Sequence, residues 1–273
     1  MKLNRRQRVL AGLFFSVLFL ALVCVSGILL TEEARVTDFS RKNIAPCAKY
    51  IFGTDWLGRD MLARTVKGLS LSILIGVLAA AVSAVIALVL GIASATMGKT
   101  VDYVITFCID LIMGVPHILL LILISVALGK GLKGVIVGVA LTHWPSLARL
   151  IRAEVIQLKE SPYIRIAQKL GKSRWYIAWK HIFPHLLPQF VVGLVLLFPH
   201  AILHESSITF LGFGLSTEQP AIGIVLSEAM KYLVTGKWWL ALFPGMLLVF
   251  TVVLFYVAGE SIRKLLDPGS VHE

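Results

Sequence analysis

Six long apolar runs, residues 9–30, 70–97, 104–128, 134–152, 186–210 and 239–258, decide what this 273-residue chain can become. Each is close to the roughly 20 residues that a helix needs to cross a bilayer. Hydrocarbon offers no partner for backbone N–H and C=O groups, so such runs fold as helices or as strands of a closed barrel. Barrel strands alternate lipid-facing and lumen-facing residues. These runs are apolar without alternation, and helices are the expectation. Composition agrees: 58% of residues are hydrophobic, 15% are charged and the mean hydropathy is +0.86, against about 25% charged in soluble domains. The predicted fold class is therefore an all-α integral membrane protein with six spans.

The basic head of "MKLNRRQRVLAGLFF" and the apolar stretch behind it resemble a secretory signal. The stretch is longer than the roughly 7 to 15 residues of a signal core, and no small-x-small site follows it, so it is read as a retained first span. Six spans put both termini on one side. Lys2, Arg5, Arg6 and Arg8 beside span one mark that side as cytoplasmic. Residues 31–69 carry seven basic side chains balanced by five acids, whereas 149–185 carry eight against Glu154 and Glu160 alone. The net charge of +11 is scattered over span ends and loops, which suits anionic lipid headgroups and excludes a nucleic-acid face. Cys24, Cys47 and Cys108 match no disulfide or CxxC framework.

Few motifs carry chemistry, and no catalytic residue is assigned. "ASATMGKT" at 93–100 loosely matches a phosphate loop, but a helix ends there instead of beginning. His204-Glu205 lacks the second His of a zinc-protease motif, since position 208 is Ile. His200 and His204 are nevertheless one helical turn apart on one face, with Glu205 beside them. Ionisable side chains inside spans usually face the bundle or a wet pathway. On that ground Asp110, Pro116, His117, His143, His200, His204 and Glu205 are expected to line a translocation path, with His200 and His204 as a transient metal contact. Interhelical hydrogen bonding is the competing reading of the same residues.

The segment "YIRIAQKLGKSRWYIAWKHIFPH" at 163–185 is rich in Lys and Arg and has no carboxylate. Pro162 can open a helix and Gly171 can bend one, which predicts a short helix, a bend and a second helix ending at Phe183 before Pro184. Ile164, Ala167 and Leu170 recur at helical spacing. From the residues alone this is either an interfacial helix on lipid or a docking surface.

The same segment resembles the EAA loop of ABC importer permeases, which docks into an ATPase. Ala167, Gly171, Ile182 and Pro184 match, while Arg165 and Ile166 stand where that motif has Glu and Ala. "GTDWLGRDMLAR" from residue 53, "FLGFGL" at 210–215, "VAGESIRKLLDP" at 257–268, and Asp110 with Pro116 resemble elements of the second-permease branch of dipeptide, oligopeptide and nickel ABC importers.

The resemblance implies a six-span type I importer permease in the prokaryotic plasma membrane. It implies a partition into an N-terminal segment and span 1 (1–30), an extracellular loop (31–69), spans 2–4 (70–152), a cytoplasmic coupling loop (153–185), span 5 (186–210), an extracellular segment (211–238), and span 6 with the C-terminus (239–273). Tyr163, Arg165, Ala167, Gly171, Lys172, Ser173, Ile182 and Pro184 would form the ATPase-docking surface. Partners would be a homologous second permease, two ABC ATPases that hold ATP and Mg, and an extracellular solute-binding protein; this chain itself would bind no cofactor. His143-Trp144 and His200 with His204 resemble nickel-type members, which makes nickel or a metal chelate the expected cargo. Di- or oligopeptides are the alternative, and a self-sufficient channel or ion-coupled carrier is the reading from another class.

Overall fold

The computed structural model describes residues 4–266, and among these all regular structure is helical apart from one isolated bridge between Thr54 and Asp60. In chain order the helices are α1 (Arg5–Leu29), α2 (Met61–Thr96), α3 (Lys99–Gly114), α4 (His117–Ala127), α5 (Gly131–Lys159), α6 (Pro162–Lys169), α7 (Arg174–Ile177), α8 (Phe183–Phe210), α9 (Ile222–Leu233) and α10 (Trp239–Leu266). Among the described residues five helical stretches are long and apolar enough to cross a membrane, or six if the bent α3–α4 pair is one span.

That bend breaks the third span expected over 104–128. α3 and α4 meet at 98° across Val115 and Pro116. Proline has no N–H for the helix ladder and its ring collides with the carbonyl four residues back. Residue 115, directly before it, is accordingly extended, at φ −95° and ψ 137°.

α2 is the central element and packs against α1, α5, α8 and α9. Its 36 residues span about 54 Å, well beyond a hydrocarbon core of about 30 Å. It starts at Met61, before the apolar run at 70–97, so the loop after α1 is shorter than the expected 31–69. Asp60 starts the helix: its carboxylate accepts the N–H groups of Leu62 at 2.7 Å and Ala63 at 3.0 Å. In lipid, helices associate by close packing, which small residues permit. Gly91 shows it: a Cβ there would lie 2.9 Å from both the Ala148 carbonyl oxygen and Ile151 Cβ of α5. The outer faces of α1 and α10 expose large apolar side chains such as Phe14, Leu22, Met246 and Val249.

The loop before α2 is held by charge. Asp55 accepts from the Leu57 and Arg59 N–H groups, both at 2.9 Å, and pairs with the Arg59 and Arg64 guanidinium groups, both at 2.6 Å. Both arginines then reach Glu228 of α9, at 3.2 and 2.9 Å. Gly58, at φ +76°, makes the turn; a Cβ there would sit 1.8 Å from the Asp38 carbonyl oxygen. Segment 211–238, between the expected spans 5 and 6, holds α9, whose Ile222 and Val225 are buried. The FLGFGL turn clasps the α4–α5 connection: the Ser125 hydroxyl donates to the Phe213 carbonyl at 2.7 Å and the Gly131 N–H to Gly214 at 2.9 Å. Of "VAGESIRKLLDP", the residues after Leu266 lie outside the described residues.

Candidate translocation cavity and coupling surface

The α3–α4 break, α5 and α8 enclose a cavity of about 870 Å³. Its apolar wall comes from residues such as Met113, Leu150, Val192 and Leu196, and its polar groups are Thr142, Ser146, Gln189, Arg263 and four histidines, His117, His143, His200 and His204. The helix break is what aims His117 inward. Pro116 ends the run of α3, and His117 becomes the first residue of a helix on a new axis.

His117, His143 and His204 converge from α4, α5 and α8. Their ring centroids are 4.6 Å (His117–His143), 4.2 Å (His117–His204) and 5.1 Å (His143–His204) apart. His200 lines the same cavity but is exposed and stands outside this triad. His200 and His204 thus both line the cavity, as expected, while the close cluster joins His204 to imidazoles from two other helices.

Two other expected path residues do not reach the cavity. Glu205 is fully buried on another face of α8, where it accepts from Thr209 at 3.0 Å and Ser206 at 3.3 Å. Neighbouring residues on a helix point about 100° apart, so His204 and Glu205 serve different surfaces. Asp110 is exposed and ion-paired with Arg149 of α5, also exposed. Pro116 does line the cavity.

At the other end of the bundle α6, α7 and the start of α8 form a ledge. Pro162 opens α6, and Gly171, at φ +75°, makes the bend. Ser173 caps α7, accepting the Tyr176 N–H at 3.2 Å. Ile164, Ala167, Ile177 and Ile182 are buried in a cluster that also holds Ile105, Ile151 and Leu186. Leu170, expected on the same stripe, is instead exposed, as are Tyr163, Ile166, Trp175 and Trp179. Arg165 pairs with Glu160, both well exposed. Lys172 lies 5.2 Å from the Tyr176 ring centroid.

The second helix does not stop before Pro184. A π-helical turn at Ala178–Ile182 runs straight into α8, so the stretch Arg174–Phe210 is continuous. The wider turn makes room where the ring of Pro184 would otherwise meet the ladder, and Pro184 sits in the first turn of α8, exposed.

Several contacts joining this ledge to the bundle have no signature in the sequence. The Arg152 guanidinium grips Asp102 with two bonds, at 2.6 and 2.7 Å, tying α5 to α3. Lys159 donates to the Ala95 carbonyl at 2.8 Å and Arg174 to that of Met97 at 3.3 Å, at the C-terminus of α2. Cations are favoured at that end of a helix. A carboxylate and cations flanking apolar runs were the only hint that such pairs would form.

The chain is similar along almost its whole length to curated permeases. It is 31% identical over 268 residues to the dipeptide transport system permease protein DppC of Bacillus subtilis (strain 168), covering 98% of this chain and 83% of that protein. It is 31% identical to the oligopeptide transport system permease protein OppC of the same organism, with 98% and 88% covered. With the probable D,D-dipeptide transport system permease protein DdpC of Escherichia coli (strain K12) it shares 31% identity, with 92% and 84% covered.

These names overturn the expected nickel or metal-chelate cargo in favour of the peptide alternative. The histidine pattern misled because a few polar positions on one helix face carry little weight against similarity along the whole chain.

Among solved structures the fold is shared with inward-facing MetNI methionine ABC transporter, at TM-score 0.62 and 20% identity, with 76% of this chain and 98% of that one covered. The family of binding-protein-dependent transport system inner membrane components matches residues 87–271. A helical bundle with a polar-lined cavity and a ledge at one end, matched by sequence and by fold, thus belongs to that family: the chain is a multi-pass permease component of an ABC transporter with the type I importer fold.

Proposed function

We propose that this chain is one of two homologous permease subunits in an ATP-dependent importer of di- or oligopeptides. Two ABC ATPases bind beneath the permease pair, one of them on the ledge of this chain, and an extracellular binding protein delivers the cargo. The observation that carries the ATPase assignment is the ledge: Ile164 and Ala167 anchor α6 in the bundle while Tyr163, Ile166, Leu170, Trp175 and Trp179 remain uncovered. A helix buried on one side and apolar on the other is suited to a groove in a partner.

The peptide reading is supported by the names of the relatives and by the cavity, whose volume lies within the roughly 300–1,000 Å³ of small-molecule sites. Both termini and the ledge are on the cytoplasmic side in this reading, and ATP with Mg is held by the partner ATPases.

The mechanism follows from what the ledge touches. Arg174 and Lys159 hold the end of α2, Arg152 joins α5 to α3, and the ledge continues through the π turn into α8. Displacement of the ledge by closing ATPases therefore moves the helices that enclose the cavity. A conformational shift needs differential affinity for the two states, and nucleotide-bound ATPases supply it by binding the ledge in one arrangement only.

The test is uptake of labelled di- and tripeptides into proteoliposomes holding this chain with its partner subunits and binding protein. ATP-dependent accumulation is expected. Accumulation by this chain alone, without ATPases, would establish a carrier or channel instead.

A further inference from the structure

The three converging imidazoles have a feature that stacking alone does not explain. His143 is 7% exposed. Its Nδ1 lies 2.9 Å from the Val139 carbonyl oxygen, which can only accept, so Nδ1 carries the proton. The Thr142 hydroxyl beside it agrees, since that hydroxyl gives its own proton to Gly138 at 2.9 Å. Nε2 of His143 is then a bare lone pair, and it has no hydrogen-bond partner among the described residues.

His117 also leaves a ring nitrogen open: its buried Nδ1 has no partner among the described residues. A buried polar atom without a partner is costly. A ring held through one nitrogen by a backbone carbonyl, with the other nitrogen left open, is how proteins prepare an imidazole for a metal ion.

We infer that His117, His143 and His204 form a site for one divalent transition-metal ion of borderline softness, such as zinc or cobalt, bridging α4, α5 and α8. One ligand atom from each ring falls within 4.8 Å of the other two. Tetrahedral bonds of about 2.0–2.1 Å place ligand nitrogens roughly 3.3 Å apart, a separation within that limit. Three neutral nitrogens suit these ions and not magnesium or calcium. All three residues line the cavity. When bound, the ion would tie together α4, α5 and α8, which come from distant parts of the chain. This inference concerns a bound ion and is independent of which cargo is carried.

Cobalt(II) is the probe, because tetrahedral nitrogen-ligated cobalt absorbs visible light far more strongly than the hydrated ion. The full-length chain, purified in detergent and stripped with a chelator, is titrated with cobalt chloride. One saturable equivalent with visible bands is expected, displaced by zinc, with zinc also raising the unfolding temperature. H117A and H143A should each weaken binding by at least the roughly 10–100-fold that loss of a supporting contact costs. H185A, at an exposed histidine outside the cluster, should bind as the wild type does.

Size-exclusion profiles without metal identify any variant that fails to fold, and H204Q then supplies the comparison. Absence of a saturable visible band in the wild type would leave a cluster of rings only and overturn the site. Persistence of the band in both H117A and H143A would overturn it equally.

Discussion

Asp55 shows how much one side chain can organise. It is 2% exposed and neutralised by Arg59 and Arg64, which share Glu228 on a helix distant in sequence. Removing one member of a buried set strands the remaining charges, at about 3–5 kcal/mol. D55A should therefore lower the unfolding midpoint of the purified chain strongly, and D55A combined with R64M should cost less than the sum of the two single changes. Thermal unfolding of all three variants in detergent checks this. Arg165 is the opposite case. Its pair with Glu160 is exposed on both sides, and such pairs are worth about 0–1 kcal/mol. R165E should leave the unfolding midpoint within that range, so any loss of transport it causes would report on docking and not on folding.

At the scale of elements, the α2–α5 interface depends on the absence of side chains. G91V would drive new atoms into Ala148 and Ile151, where even a Cβ lies at 2.9 Å. Overpacking of this kind costs about 1–3 kcal/mol. G114A, by contrast, meets nothing within 4 Å and should be silent; expression level and thermal midpoint of the two variants make the comparison. The ledge formed by α6 and α7 carries its own expectation. I166D and W175D alter exposed positions, so folding should survive while co-purification of the ATPase subunits falls. Retention of the ATPases by both variants would remove the ledge from the docking surface. The segmentation of the chain into spans was readable from apolar runs because lipid imposes a minimum length. The bend at Pro116 and the run of α8 through Pro184 were not, because the consequence of a proline depends on whether the neighbouring turn can widen or the axis can swing.

For the whole molecule, orientation is the expectation that can be read most directly. Cys47 is exposed in the loop before α2. In a chain lacking Cys24 and Cys108, a membrane-impermeant maleimide should label Cys47 from outside intact spheroplasts. K172C in a cysteine-free background should react only after lysis. The reverse pattern would invert the assigned topology.

Sequence by itself determined the helical class, the long apolar helices, the basic ledge between α5 and α8 and the family, since hydropathy, proline and glycine positions and linear motifs are properties of contiguous residues. Tertiary structure alone decided which face each polar residue serves. His204 and Glu205 are adjacent in the chain, yet one joins His117 and His143 in the cavity and the other is fully buried on another face of α8. The reason is geometric: consecutive helical residues diverge by about 100°, and only the neighbouring helices determine which direction is the cavity.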